Sequence, residues 1–271
     1  NGELTIDDPI HVSAWASRIG GSQAYLAEGE VFRLEDLMKA ITIASANDAC
    51  AAVAEHVAGS CEGFVDLMNL RARQLGLENT HYVNVHGLDD AHSGNTTTAR
   101  DIATIARHLI TYPHVLEWSQ IPEAPFRNGT FTLRNTNKLL GRFSGLDGLK
   151  TGYTVKAGWC LSATAERDGL RLISVVMGAQ SERMRFSESA RLLGSGFAQL
   201  HREVLAEAGR PCGEPVSVQG GSPDAVSALP ARDLSLVLPR GAQPPEVRFV
   251  RRPVIKAPLA AGDTIGVYEA P

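Results

Sequence analysis

Leu146-Asp147-Gly148-Leu149-Lys150-Thr151-Gly152-Tyr153-Thr154 is the stretch on which the reading of this 271-residue chain turns. Its polar triplet, Lys150-Thr151-Gly152, stands just ahead of an apolar run, Ala157-Gly158-Trp159-Cys160-Leu161-Ser162-Ala163-Thr164. A second run, Leu170-Arg171-Leu172-Ile173-Ser174-Val175-Val176-Met177, follows across Arg167-Asp168-Gly169. Asp-Gly between two β-rich runs is a strong hairpin signal, because the tight turn needs positive φ at both central residues. The triplet is therefore expected on a strand beside a hairpin, with Gly152 leaving the backbone open to close approach. A cation, a hydroxyl and a bare backbone edge are what would hold a peptide ending in a free carboxylate.

Upstream of this stretch the pattern is mostly helical. Residues 1–32 carry short β-like pieces such as Pro9-Ile10-His11-Val12-Ser13, broken by Gly20-Gly21-Ser22 and Glu28-Gly29-Glu30. Leu34, Leu37, Met38 and Ile41 have helical spacing from Arg33 to Ala44. Ser45-Ala46-Asn47 interrupts that helix, and Cys50, Val53, Ala54 and Val57 restart one that Gly59 should stop as a C′ glycine. A third helix is expected over about 62–75, with Phe64, Leu67, Met68 and Leu75 inward and Gly76 ending it. Loop-rich residues 77–96 follow, then a helix over about 98–112 halted by Pro113, and a strand over 126–134. Downstream, a helix is expected from about Glu182 to Leu205.

Beyond that point the composition shifts. Ten of the 14 prolines lie at or after Pro211, and short alternating runs appear, such as Leu234-Ser235-Leu236-Val237-Leu238 and Val247-Arg248-Phe249-Val250. Turn residues every eight to twelve positions indicate a small all-β module. The expected division is residues 1–205 and a β-rich domain over 206–271. With 44% hydrophobic residues the chain can bury one sizeable core and a smaller second one. It has no long uncharged apolar run that would cross a membrane. Net charge is −4 and the 26 basic residues are scattered, so no nucleic-acid partner is expected. The chain begins Asn1-Gly2-Glu3-Leu4, without Met or an apolar leader, which suggests a piece of a longer protein.

Ser45-Ala46-Asn47-Asp48 admits two readings. Ser followed three residues later by Asp, ahead of an apolar helix, resembles a capping box. Alternatively, Ser45 and Asn47 project from an inter-helix turn into a cleft, where a hydroxyl relays a proton to a leaving amine and a carboxamide holds a substrate amide. Both can hold at once. Ser-x-Asn at a helix junction and Lys-Thr-Gly on a strand about a hundred residues later are two of three motifs of the serine penicillin-recognising enzymes.

On those motifs the chain resembles the bacterial D-alanyl-D-alanine carboxypeptidases, the low-molecular-mass penicillin-binding proteins. Further blocks carry the likeness: Phe64-Val65-Asp66-Leu67-Met68-Asn69, Leu75-Gly76-Leu77-Glu78-Asn79-Thr80-His81, His86-Gly87-Leu88, Ala99-Arg100-Asp101 and Asp147 to Thr154. The resemblance implies an α/β (α+β) penicillin-binding or β-lactamase-like domain, with an antiparallel sheet and a helical cluster, followed by a small β-rich domain. It implies serine-type removal of the terminal D-alanine from peptidoglycan stem peptides at the periplasmic or outer face of the inner membrane, with β-lactams as suicide acylators. Membrane association would run through segments outside this chain.

One departure stands out. The family's nucleophile lies in Ser-x-x-Lys, yet the residues three before Lys39, Lys138, Lys150, Lys156 and Lys256 are Asp36, Asn135, Asp147, Tyr153 and Pro253. The expectation is that the motif lies upstream of Asn1 and that these 271 residues alone are inactive. A non-catalytic peptidoglycan-peptide or partner-binding relative is the alternative. A β-lactamase is a further rival, disfavoured by the lack of a Glu-x-x-Leu-Asn motif before Lys150.

In the mechanism that the resemblance implies, Ser45, Asn47 and Lys150 are catalytic, and Thr151, Gly152, Tyr153 and Arg185 bind substrate. The peptide adds along the Lys150–Tyr153 edge, Thr151 bonds the carboxylate and Lys150 supplies positive potential. The backbone N–H of Tyr153 joins that of the nucleophile in an oxyanion hole, each donor contributing roughly 3–4 kcal/mol. Ser45 passes a proton to the departing D-alanine, Asn47 holds the remaining peptide, and Arg185 lies near the carboxylate or is only a surface charge.

No cofactor and no metal is expected. The spacings of His81, His86 and His92 beside Asp89 and Asp90 are not those of a zinc site. Cys50, Cys61, Cys160 and Cys212 form no Cys-x-x-Cys pair; Cys50 and Cys160 read as buried thiols. Trp15, Trp118 and Trp159 read as core or loop anchors.

Overall fold

A computed structural model describes residues 4–89 and 94–270. Strand β1 (Pro9–His11) pairs antiparallel with β2 (Val31–Arg33). Helices α1 (Leu34–Ala44), α2 (Asn47–Ala58), α3 (Cys61–Gln74), α4 (Ala99–Leu109) and α5 (Pro113–Ser119) follow. Then come the antiparallel pair β3 (Glu123–Phe126) and β4 (Phe131–Arg134) and a three-stranded sheet, β5 (Leu146–Thr154), β6 (Gly158–Arg167) and β7 (Leu170–Ala179). Helix α6 (Glu182–Gln199) precedes β8 (Leu200–Ala206), β9 (Val216–Ser217), β10 (Ala225–Val226), β11 (Leu234–Pro239), β12 (Arg248–Arg251) and β13 (Gly266–Glu269). The mixed α/β architecture with antiparallel pairing is the one expected from the sequence. Among the described residues no helix is long and apolar enough to cross a membrane.

The chain divides into two compact units, residues 1–167 with 171–195, and residues 168–170 with 196–271. In the first, α1 turns Leu37, Ala40 and Ile43 inward at helical spacing against Ile10, Ala49, Ala52, Phe126 and Leu133. Burial of each large aliphatic chain there contributes about 1.5–3 kcal/mol. The alanines of α2 leave little side-chain bulk, so its backbone sits close to the core; Ala49, Ala51 and Ala52 are fully buried. In the second unit β8 pairs antiparallel with β11. A small core of Val216, Val218, Ala228 and Ile255 packs with Phe249 and Tyr268. The Tyr268 hydroxyl lies 2.9 Å from the Cys212 carbonyl and 2.7 Å from that of Ala228.

The Asp168-Gly169 turn joins β6 to β7 with φ of 51° and 73°, the double positive φ that the dipeptide signalled. Sheet order is β5-β6-β7, so β5 is an outer strand. Its register sets Lys150 opposite Ser162, Thr151 opposite Leu161, Gly152 opposite Cys160 and Tyr153 opposite Trp159.

Several expectations are corrected. Pro113 ends one helix and opens another, since proline is well suited to the first helical position, where no N–H is needed. Residues 126–134 are not one strand: Arg127, Asn128 and Gly129 take positive φ and turn the chain between β3 and β4. The helix from Glu182 stops at Gln199, because residues 200–206 find a long-range strand partner that local pattern cannot reveal. Leu67, expected inward, is exposed on α3, and Trp15, expected as an anchor, is 61% exposed. Gly59 does stop α2, at φ 78°.

Candidate active site

Ser45 closes α1 in the left-handed region, at φ 59° and ψ 39°. For a residue with a Cβ this costs roughly 1–2 kcal/mol, and such positions cluster at functional sites. It is not the cap of α2: the residue there is Ala46, which makes no side-chain capping bond. The capping-box reading therefore fails, and Ser45's hydroxyl is turned elsewhere. The Lys150 Nζ donates to Ser45 Oγ at 2.6 Å and to the Thr151 carbonyl at 2.7 Å. Two motifs 105 residues apart thus meet in one hydrogen bond.

Asp48 takes partners other than those of a capping box. Fully buried, it accepts from Ala24 N and Ala49 N through Oδ1 at 3.0 and 2.9 Å, and from Leu26 N through Oδ2 at 3.0 Å. This ties the loop after β1 to the first turn of α2, beside Ser45 and Asn47. Asn47 is 6% exposed. Its backbone N–H donates to Ser22 O at 2.8 Å, and its side-chain Nδ2 to Gly20 O at 2.9 Å. It is not hydrogen-bonded to Lys150 or Thr151 among the described residues. Gly21 (φ 80°) has no room for a Cβ, which would lie 2.7 Å from Asn47 Nδ2.

Strand β5 is fixed by the segment before it. Asn135 Nδ2 donates to the Ser119 and Ile121 carbonyls, and Asn137 Nδ2 to Gly148 O at 3.1 Å. Ser119 Oγ donates to Asp147 O at 2.7 Å; a Cβ on Gly148 would meet that hydroxyl at 2.6 Å. Thr151, buried, donates from Oγ1 to Thr136 Oγ1 at 2.7 Å. At Gly152 an added Cβ would touch only Cys160 Cβ, at 3.8 Å, so the protein's own packing does not demand glycine there. An open edge fits that freedom.

Arg185 is not a surface charge. It is 4% exposed, donating to Gly152 O at 3.1 Å, with its guanidinium 4.9 Å from the Trp159 ring and 4.7 Å from Phe186. Burial draws its pKa below the ordinary arginine value, with Glu182 opposing. Tyr153, 53% exposed, lays its ring on Trp159 at 4.1 Å. Trp159 thus contacts both Tyr153 and Arg185.

Burial lowers the Lys150 pKa to about 8; Cys50, when ionised, opposes the shift and Arg185 adds to it. Burial pushes Cys50 itself up to about 11, leaving it a protonated thiol at neutral pH. Lys150 is consequently charged at pH 7, yet close enough to neutrality to take and return a proton. The Ser45 hydroxyl is within reach of that exchange.

Residues 1–181 match the family described as D-alanyl-D-alanine carboxypeptidase. The chain belongs to this family. It is 33% identical over 270 residues to D-alanyl-D-alanine carboxypeptidase DacF of Bacillus subtilis (strain 168), covering 98% of this chain and 69% of the relative. To DacC of Escherichia coli (strain K12) it is 41% identical over 202 residues, covering 72% of this chain but 50% of the relative. The chain thus spans about half the length of that relative. A crystal structure of penicillin binding protein 5 from Haemophilus influenzae superposes with a TM-score of 0.75 at 32% identity, over 99% of this chain and 80% of the other.

Within this family frame the pattern missed Asp48, Thr136, Asn137 and Ser119. Asp48 carried a local signal that pointed to a different role. Asn135-Thr136-Asn137 offers three consecutive polar residues after a strand, a clue to a polar clip that only the fold makes legible. Among the described residues no group of three His, Cys, Asp or Glu gathers as a metal site. Asp90 and His92 lie outside the described residues.

Proposed function

We propose that residues 1–271 form the substrate-holding part of a serine-type D-Ala-D-Ala carboxypeptidase, acting on peptidoglycan stem peptides at the periplasmic or outer face of the inner membrane. The single observation that carries this reading is the 2.6 Å bond between Lys150 Nζ and Ser45 Oγ, at the outer strand of the sheet. A peptide adds antiparallel to the Lys150–Tyr153 edge. Thr151 binds its carboxylate in the field of Lys150 and of Arg185 behind the strand. The Tyr153 N–H serves the oxyanion, and Ser45, drawing on Lys150, returns a proton to the leaving D-alanine. Asn47 holds the rest of the peptide from the α2 side. The acyl-forming serine comes from a Ser-x-x-Lys motif, which these 271 residues do not contain. β-Lactams imitate the same substrate. Residues from about 206 onward form the β-rich domain that accompanies the catalytic one, and membrane association uses other segments.

The test is binding without chemistry. The chain is expected to bind an N-acylated peptide ending in D-Ala-D-Ala about tenfold more tightly as the acid than as the C-terminal amide, since a charged acceptor is what the site lacks. Incubated with labelled penicillin it is expected to show no added mass. Equal affinity for acid and amide, or a stoichiometric acyl adduct on Ser45 or another serine, would overturn the assignment.

A further inference from the structure

The Thr151 hydroxyl, on the reading above, must give its proton to a carboxylate, which only accepts. In the structure that proton is directed at Thr136 Oγ1, 2.7 Å away. Thr136 is not a loose neighbour. Its N–H donates to Ile43 O near the end of α1 at 3.1 Å. The side chains on either side are anchored as well, Asn135 on Ser119 O and Ile121 O and Asn137 on Gly148 O. Thr136 therefore stands at a fixed point between the helix that ends in Ser45 and the strand that carries Lys150.

We infer that Thr136 is a positioning residue for carboxylate recognition, its hydroxyl fixing the direction of the Thr151 hydroxyl and reversing with it when ligand binds. Without ligand Thr151 donates to Thr136. With a carboxylate present, both hydroxyls rotate: Thr136 donates to Thr151, and Thr151 donates to the ligand. No bond beyond hydrogen bonds changes, and the chain of donors strengthens the last member. Valine at 136 would keep the shape but could neither accept nor donate. Serine would keep the hydroxyl.

This inference rests on the carboxylate-binding reading, and two measurements separate them. The first compares affinities of N-acylated D-Ala-D-Ala acid and amide for the wild-type chain, Thr136→Val and Thr136→Ser. Thr136→Val is expected to weaken acid binding about fivefold and leave the amide unchanged, and Thr136→Ser to return to within about twofold of wild type. A purely structural role would weaken both ligands together; that result, or failure of serine to restore the ratio, overturns the inference. The second needs no ligand: three-bond NMR couplings are expected to show one Thr151 χ1 rotamer in the wild type and Thr136→Ser, and averaging in Thr136→Val. A single unchanged rotamer in Thr136→Val would overturn it even if the peptide reading stands. A wild-type chain indifferent to acid and amide would instead remove the peptide reading, and with it the role assigned to Thr136.

Discussion

Lys150→Ala is expected to reduce carboxypeptidase turnover about a thousandfold in an enzyme that combines this segment with a Ser-x-x-Lys nucleophile. The side chain supplies three things that no neighbour replaces. On the proposed reading it is a charge facing the carboxylate; it is also a donor 2.6 Å from Ser45 Oγ and a group whose pKa of about 8 suits proton exchange near neutrality. Arg185 cannot substitute, because its guanidinium is committed to Gly152 O behind the strand and lies over Trp159. The loss is expected in kcat as well as kcat/KM, since proton return to the leaving amine is a step of the reaction and not only of binding. Steady-state kinetics with a D-Ala-D-Ala peptide measure it; unchanged kinetics would remove Lys150 from the chemistry. Lys150→Arg is expected to rescue little, because the planar guanidinium is bulkier and remains protonated.

Asp48→Ala is expected to cost about 4 kcal/mol of stability. The carboxylate is fully buried and three backbone N–H groups converge on it, from Ala24, Leu26 and Ala49. Removing it leaves three buried donors without partners, each carrying its own desolvation penalty. Asp48→Asn is expected to cost less, since one carboxamide oxygen still accepts. Denaturant unfolding followed by circular dichroism decides this; a loss below about 1 kcal/mol for Asp48→Ala would show that the loop over residues 24–26 holds without it. The same loop carries Gly20 and Ser22, which bond Asn47, so the presentation of Asn47 should loosen with the stability.

How much of this was legible in the sequence follows from how far apart the partners lie. The hairpin at Asp168-Gly169 and the stop at Gly59 are local, decided by backbone conformations that few residues adopt, and they were readable. Lys150 and Ser45 were readable as motifs, although only the fold shows that they touch. Asp48 was misread because a short acidic side chain three residues after a serine satisfies a local pattern, while its actual partners lie 22 and 24 residues upstream. Arg185 looked like one more arginine on a polar helix; its burial depends on Trp159 and Gly152 from another part of the chain. The helix expected to run to Leu205 ends at Gln199, because residues 200–206 pair with β11, a partner that no local pattern reveals.

The burial of Lys150 also has a thermodynamic signature. Its folded pKa is lowered from 10.5 to about 8, so between those values the unfolded chain binds more protons than the folded one. This group therefore makes stability rise as pH climbs from about 8 towards 10.5, and below 8 the full cost of enclosing the charge is present. The direct measurement is NMR titration of the Lys150 ε-methylene and Nζ signals in the isolated chain, assigned by their loss in Lys150→Met. An apparent pKa near 8 is expected for a lysine buried in the site with Arg185 nearby; a value near 10.5, that of a lysine in open water, would contradict the enclosed position in which Lys150 meets Ser45.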